Sequence, residues 1–236
     1  MENEKLSVII TGGASGIGEA IARIVINKGG NVGIIDLNSE KANLLSNELG
    51  ERCIFRQANV TDEPEFSKAY LRIKAIMPVV TGCVTCAGVL PVRDPISKHT
   101  LEDFRRVLDN HISGTFLTCK IIGTDMAERK NGSIVTLSSV LAVRPGPVLG
   151  YGSAKAGVVN LSQSLAVQWG KDNVRVNTIC PGWVDTPFIR KQEEDGRDLS
   201  PIIDMTPIGR MIKPEEIAKL AYFLLSPSSS AITGSV

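Results

Sequence analysis

The feature that most restricts this chain is the segment Thr11-Gly12-Gly13-Ala14-Ser15-Gly16-Ile17-Gly18, which follows an apolar run and opens an amphipathic stretch. Glycines let a backbone turn sharply and approach a phosphate with no Cβ in between. The free N–H groups and the dipole at the start of the next helix then face the same point. Ile17, Ile21, Ile24 and Val25, at i, i+4, i+7 and i+8, write that helix. Gly29-Gly30 closes it, and Gly50 closes the following one after Leu45 and Leu49. Strand, glycine loop and helix in this order predict a phosphate-binding corner.

The rest of the chain repeats the alternation. Runs at 6–10, 32–36, 53–55, 79–85, 133–137 and 174–179 are strand-like, several rich in Val and Ile, with helical spacing between them. This predicts an α/β protein: a single-domain, Rossmann-type, doubly wound parallel sheet with helices on both faces. Nearly continuous apolar strands fit a sheet buried on both sides, and 236 residues suit one such domain. Residues 188–206 are the least regular stretch, charged and centred on Gly196, and are expected to form a loop that acts as a substrate lid. The run Ile232-Thr233-Gly234-Ser235-Val236 reads as the opening of a further strand, cut before it finishes.

Bulk chemistry narrows the partners. With 26 basic and 25 acidic residues the chain carries no electrostatic footprint for nucleic acid or an anionic membrane. No apolar run reaches bilayer length, and residues 1–5 lack the apolar stretch of a secretion signal. A soluble, cytoplasmic protein is expected. The five cysteines are odd in number and scattered, unlike a disulfide framework. Cys83 and Cys86 form a CxxC, but no second CxxC or His pair completes a metal site. The plainer reading, two small residues at the end of a buried strand, is preferred. His99 and His111 have no partners at metal spacing; His99 is read as a surface loop residue and His111 as helix packing. No metal is expected.

The second strand ends at Asp36, eighteen residues after Gly18. A carboxylate there accepts hydrogen bonds from the adenosine ribose hydroxyls and repels a 2′-phosphate. Arg52 and Arg56 are not placed beside that strand end by the sequence, so NAD is expected and NADP is less favoured. Asn38 or Ser39 is the better cap for the helix that follows.

Tyr151-Gly152-Ser153-Ala154-Lys155 sets a phenol and an ammonium on one helix face. A free phenol titrates near ~10. An ammonium at about 4 Å contributes roughly 4 kcal/mol at an effective dielectric near 20, about three pK units before desolvation offsets it. Tyr151 then takes a proton from an alcohol or gives one to a carbonyl. Ser138, thirteen residues earlier at the end of the strand over 133–137, is the candidate to hold the substrate oxygen.

From these residues the chain resembles the short-chain dehydrogenase/reductase family of the classical type, over residues 8–236. The glycine segment is similar to T-G-x-x-x-G-x-G, Tyr151 and Lys155 to Y-x-x-x-K, and Ser138 to the catalytic serine. The resemblance implies that Asn110 holds a water linking Lys155 to solvent; from the residues alone it is a polar helix residue or a kink-former. It implies cofactor contacts from Gly12, Ser15, Gly16, Ile17, Gly18, Asp36, Leu37, Asn59, Val60, Cys86, Ala87, Gly88, Tyr151, Lys155, Pro181, Gly182, Val184 and Thr186. It implies substrate contacts from Ser138, Val140, Arg144, Tyr151 and Trp183. The helices over 100–128 and 151–170 are expected to pair across a two-fold axis, giving a homodimer or homotetramer. Pro207-Ile208-Gly209-Arg210 and Pro214-Glu215-Glu216-Ile217-Ala218 resemble the family's C-terminal pattern.

There are departures. Thr85-Cys86-Ala87-Gly88 replaces N-N-A-G, Asn59 stands where an Asp usually meets the adenine amine, and the closing strand is missing. The expected activity is NAD-dependent interconversion of a secondary alcohol, polyol or sugar-like hydroxy compound and its ketone. The alternatives are an NADPH-dependent carbonyl or 3-oxoacyl thioester reductase and, in another class, a non-catalytic NAD-binding sensor or scaffold.

Overall fold

The computed structural model describes residues 5–91 and 93–236; the reading of the first four residues as a polar lead-in lies outside them. Six strands, β1 (Ser7–Thr11), β2 (Asn31–Asp36), β3 (Cys53–Gln57), β4 (Gly82–Thr85), β5 (Gly132–Leu137) and β6 (Val174–Ile179), form one parallel sheet in the order β3-β2-β1-β4-β5-β6. The first three helices are α1 (Gly16–Asn27), α2 (Ser39–Leu49) and α3 (Glu63–Lys74). Then α4 (Leu101–Leu108), α5 (Gly114–Thr118) and α6 (Thr124–Glu128) join through π-helical turns at Asp109–Ser113 and Cys119–Gly123 into one rod. After it come α7 (Leu149–Trp169), α8 (Pro187–Glu194), α9 (Ser200–Asp204) and α10 (Pro214–Leu225).

Alternation along each strand divides the core. Val8 and Ile10 of β1 pack with Ile21 and Val25 of α1 and Ala221 and Leu225 of α10. Ile9, between them in sequence, joins Phe66 and Ile73 of α3, Met126 of the rod and Trp169 of α7 on the opposite face. Both faces are therefore covered, which is why the strands are apolar throughout.

The chain winds outward from β1 to β3, then returns to build β4 to β6 on the other side. That reversal opens a crevice at the carboxyl ends of β1 and β4. The register levels those ends, since Thr11 pairs with both Ile35 and Thr85. Gly12, Asp36 and Cys86, one residue further on, thus share one edge.

Two expectations are corrected. The fourth strand is shorter than 79–85: Val79 is exposed, and the Thr81 side chain instead accepts the Ser7 amide. Residues 188–206 are not an irregular loop. They contain α8 and α9, with Ile189, Leu199 and Ile202 buried together beside Trp183 and Phe188. Residues 233–235 lie along β6, where the Gly234 amide donates to Val176 O and the Thr178 amide to Ser235 O.

Candidate active site

A cleft of about 340 Å³ runs along the carboxyl edge of the sheet. Its first end is built by the glycine loop. Gly12 and Gly16 have φ of +65° and +57°. A Cβ on Gly12 would meet the Ala87 backbone at 2.6 Å, and one on Gly18 would meet Gly12 O at 2.2 Å. Ser15 precedes α1 without a side-chain capping bond. The loop is thus pressed against the β4 end, and the N–H groups of the first helical turn have no cap. This cradle fits a dinucleotide pyrophosphate.

Asp36 stands at the rim. Its Oδ2 accepts the Ala14 amide at 3.0 Å and its Oδ1 the Asn38 amide at 2.9 Å, so it braces the loop and keeps lone pairs for a ribose. Asn38 caps α2 by accepting the Lys41 amide, as expected. Neither arginine reaches this rim: Arg52 donates to Gly30 O and Arg56 to Phe55 O. Ile17, Leu37, Val60, Cys86, Ala87, Gly88, Pro181, Gly182, Val184 and Thr186 all line the cleft. Asn59 does not. Its amide oxygen accepts both the amide and the hydroxyl of Thr61, which turns it into a turn-forming residue. The altered Thr85-Cys86 segment holds its place: the Cys86 amide donates to Thr11 O, although Thr85 Oγ1 is buried without a partner.

The other end holds the titratable groups. Lys155 Nζ donates to Leu137 O at 2.6 Å and lies 5.6 Å from the centroid of the Tyr151 ring. Burial pulls Lys155 down to about 8, with the Cys86 and Cys180 thiols opposing. At 5.6 Å and an effective dielectric near 20 its charge is worth about 3 kcal/mol, or roughly two pK units, to a phenolate. Burial outweighs this and pushes the Tyr151 phenol up, while a hydrogen bond with Ser139 works the other way. The four-residue spacing shows the ammonium but not the full desolvation.

Ser138 and Ser139 both line the cleft, and their hydroxyls are held differently. Ser138, 5% exposed, donates its hydroxyl to Lys155 O at 2.7 Å and ties β5 to α7. Ser139 faces the phenol, and its Oγ accepts the Leu141 amide at 3.1 Å, leaving its proton to donate. Val140 and Trp183 line the same region, whereas Arg144 is exposed and outside it.

Asn110 lines the cleft from the π-helical turn Asp109–Ser113, with its Nδ2 donating to Arg106 O at 2.9 Å. Single π turns recur at functional positions because the extra residue redirects a side chain. His111 is more than helix packing. It borders the cleft, its ring stands edge-on to Tyr151 at 4.9 Å, and its Nε2 lies 2.9 Å from Val89 O. Burial holds it down at about 3, so it is neutral. Arg93, Phe188 and Gln192 also line the cleft. The spacing of Phe188, Ile189 and Gln192 is the helical signal that could have found two of them; nothing in the sequence singled out Arg93. Among the described residues no group of three His, Cys, Asp or Glu side chains forms a metal cage, and no helix is long and apolar enough to cross a membrane.

Comparison with known proteins places this geometry. Residues 12–236 match the family model described as Enoyl-(Acyl carrier protein) reductase. The chain is 33% identical to a 2,5-dichloro-2,5-cyclohexadiene-1,4-diol dehydrogenase of Sphingobium indicum, over 97% of this chain and 93% of that one. It is 34% identical to a cis-4-hydroxycyclohexanecarboxylate dehydrogenase of Sinomonas cyclohexanicum, over 97% and 92%. It superposes with a TM-score of 0.87 on a 3-oxoacyl-[acyl-carrier protein] reductase with bound NAD from Brucella melitensis, at 30% identity, covering 98% of this chain and 88% of that one.

Proposed function

This chain belongs to the short-chain dehydrogenase/reductase family, whose members are oxidoreductases acting on CH–OH groups, and on that premise we propose that it is an NAD-dependent dehydrogenase of a secondary alcohol, with Tyr151 as acid/base. The observation that carries this is one continuous cleft with the glycine cradle and Asp36 at one end and Tyr151, Lys155 and Ser139 at the other.

The bound nicotinamide supplies hydride acceptance and, in its oxidised form, a positive charge. The side chains do the rest. Ser139 donates to the substrate oxygen and fixes the carbinol beside the phenol. Tyr151 takes the hydroxyl proton as the C–H bond breaks and returns it in the reverse direction. Lys155 holds a positive charge below the ring, favouring the phenolate and opposing part of the desolvation of Tyr151. Asn110, with its Oδ1 unused by the rod, holds a water on the path from Lys155 to solvent. His111 braces the Tyr151 ring and stays neutral. The braced carboxylate of Asp36, with no arginine at the rim, supports NAD over NADP. Five free cysteines fit a reducing cytoplasm. Exposed Phe116 and Val167, on the rod and α7, support a homodimer or homotetramer.

The test is NADH formation across a panel of secondary alcohols, with Tyr151→Phe as the control. That variant is expected to bind NAD and lose turnover by several orders of magnitude; undiminished turnover overturns the assignment.

A further inference from the structure

The cleft that Tyr151 lines also holds Arg93, which has no carboxylate partner among the described residues. Arg93, on the loop after β4, donates from Nη2 to Gln192 Oε1 at 2.6 Å. Arg197, just past α8, donates from Nη1 to the same oxygen at 2.5 Å. The two donor nitrogens therefore lie within about 5 Å of each other. Gln192 is buried and uncharged, so both guanidiniums converge on a neutral acceptor whose lone pairs are then used.

The neighbouring cations are arranged differently. Arg190 pairs with Asp185 and Glu193, Lys191 with Asp195, and Arg210 with Glu216. Among the described residues no carboxylate lies within ion-pair distance of Arg93 or Arg197. Burial lowers the pKa of both, and the Arg197 charge lowers that of Arg93 further. Arg197 is held in place by stacking over Trp183, 4.8 Å from the ring centroid. Gln192 is fixed in turn, since its Nε2 donates to Phe188 O one helical turn earlier. The Phe188 ring lies 6.5 Å from that of Tyr151. Arg93 and Gln192 thus line the same cleft as Tyr151, and Arg197 joins them through the shared Gln192 oxygen, with planar forks of donors to spare. An oxyanion between them relieves their repulsion and accepts from both.

We propose that Arg93 and Arg197 bind a carboxylate, so that the substrate is a hydroxy acid, or the oxo acid in reverse, with its carbinol carbon at Tyr151. The second half of this statement rests on the dehydrogenase reading above. The reaction balances without involving the acid group: the carbinol C–H leaves as hydride to NAD, the O–H proton goes to Tyr151, and the carboxylate is unchanged.

Two measurements on the full chain with NAD separate the readings. In the first, ligand-observed NMR compares binding of cyclohexanecarboxylate, its methyl ester and cyclohexyl phosphate. In the second, kcat/KM is compared for matched hydroxy acids and their methyl esters. The acid is expected to exceed the ester by at least about tenfold in both. Arg93→Gln and Arg197→Gln each reduce that ratio, the double variant brings it near one, and Arg→Lys at either position retains part of it. A ratio near one in the unaltered chain, a ratio untouched by the variants, or tighter binding of the phosphate overturns the proposal. Arginine-dependent carboxylate binding with no NADH from any hydroxy acid keeps the carboxylate site and overturns the dehydrogenase reading alone. NADH from neutral alcohols with no preference for acids does the reverse.

Discussion

Replacing the two adjacent serines one at a time separates a catalytic hydroxyl from a structural one. Ser138 donates to Lys155 O at 2.7 Å inside the protein, with 5% of its surface exposed. Lys155 O lies within α7 and keeps its helical partner, so Ser138→Ala removes one of two bonds and leaves no fully orphaned group. The cost is about 1 kcal/mol, the net worth of a buried neutral hydrogen bond. In a chain of this size that lowers Tm by roughly 2–4 °C. Ser139 carries a tie of its own, capping the short turn Val140–Ala142. Its Oγ accepts the Leu141 amide, and its proton is left for the substrate oxygen. Loss of one preorganised donor to a reacting oxygen typically costs about 10²–10³-fold in kcat. Ser139→Ala is therefore expected to lose kcat by that factor, with a modest fall in Tm from the lost cap, and Ser138→Ala to keep kcat within a few-fold while melting earlier. The assays are NADH formation at saturating alcohol and calorimetric melting of the same preparations. If Ser138→Ala shows the large kcat loss at unaltered Tm, the geometric assignment is refuted and the thirteen-residue spacing was the better guide.

Asp36→Ala removes a charged acceptor from the adenosine rim and a brace from the Ala14 amide; KM for NAD is expected to rise about tenfold or more while KM for NADP falls, and an unchanged preference in steady-state kinetics with both cofactors counts against NAD selection at this residue. His111 is held down at about 3 by burial, against an ordinary value near 6.5. A base with a lowered folded pKa is protonated first in the unfolded chain, so stability is intact above 6.5 and falls as pH drops toward 3. From pH 7 to 5 the loss from this group is about 2 kcal/mol. Urea midpoints at the two pH values should show that drop, and His111→Gln should flatten it; an equal drop in the variant shows that other groups carry the acid sensitivity.

What the sequence revealed, and what it withheld, divides along one physical line. The doubly wound sheet was legible because both its signals are local: apolar runs of strand length, and glycines at positions where a Cβ would strike backbone, as at Gly12 and Gly18. The phenol and ammonium were legible because four residues along a helix always return to one face. The choice between the two serines was not, because adjacent residues at a strand end point to opposite sides, and nothing local says which side carries the helix. The structure resolves the parity. Thr136 hydrogen-bonds Ser162 of α7, so Ser138, two residues on and on the same face, also turns to α7, while Ser139 is released toward the cleft. The raised Tyr151 phenol was hidden for a related reason: charge spacing can be counted along a helix, whereas burial depends on Phe188 and His111, which arrive from remote segments. Arg93 and Arg197 are the extreme case. They lie 104 positions apart in the chain and meet only through Gln192. A family's chemistry is thus written in short-range spacing, while the feature that selects a substrate is assembled from long-range contacts. The same division explains why Tyr151 and Lys155 were found from the sequence and the proposed carboxylate clamp was found only in the fold.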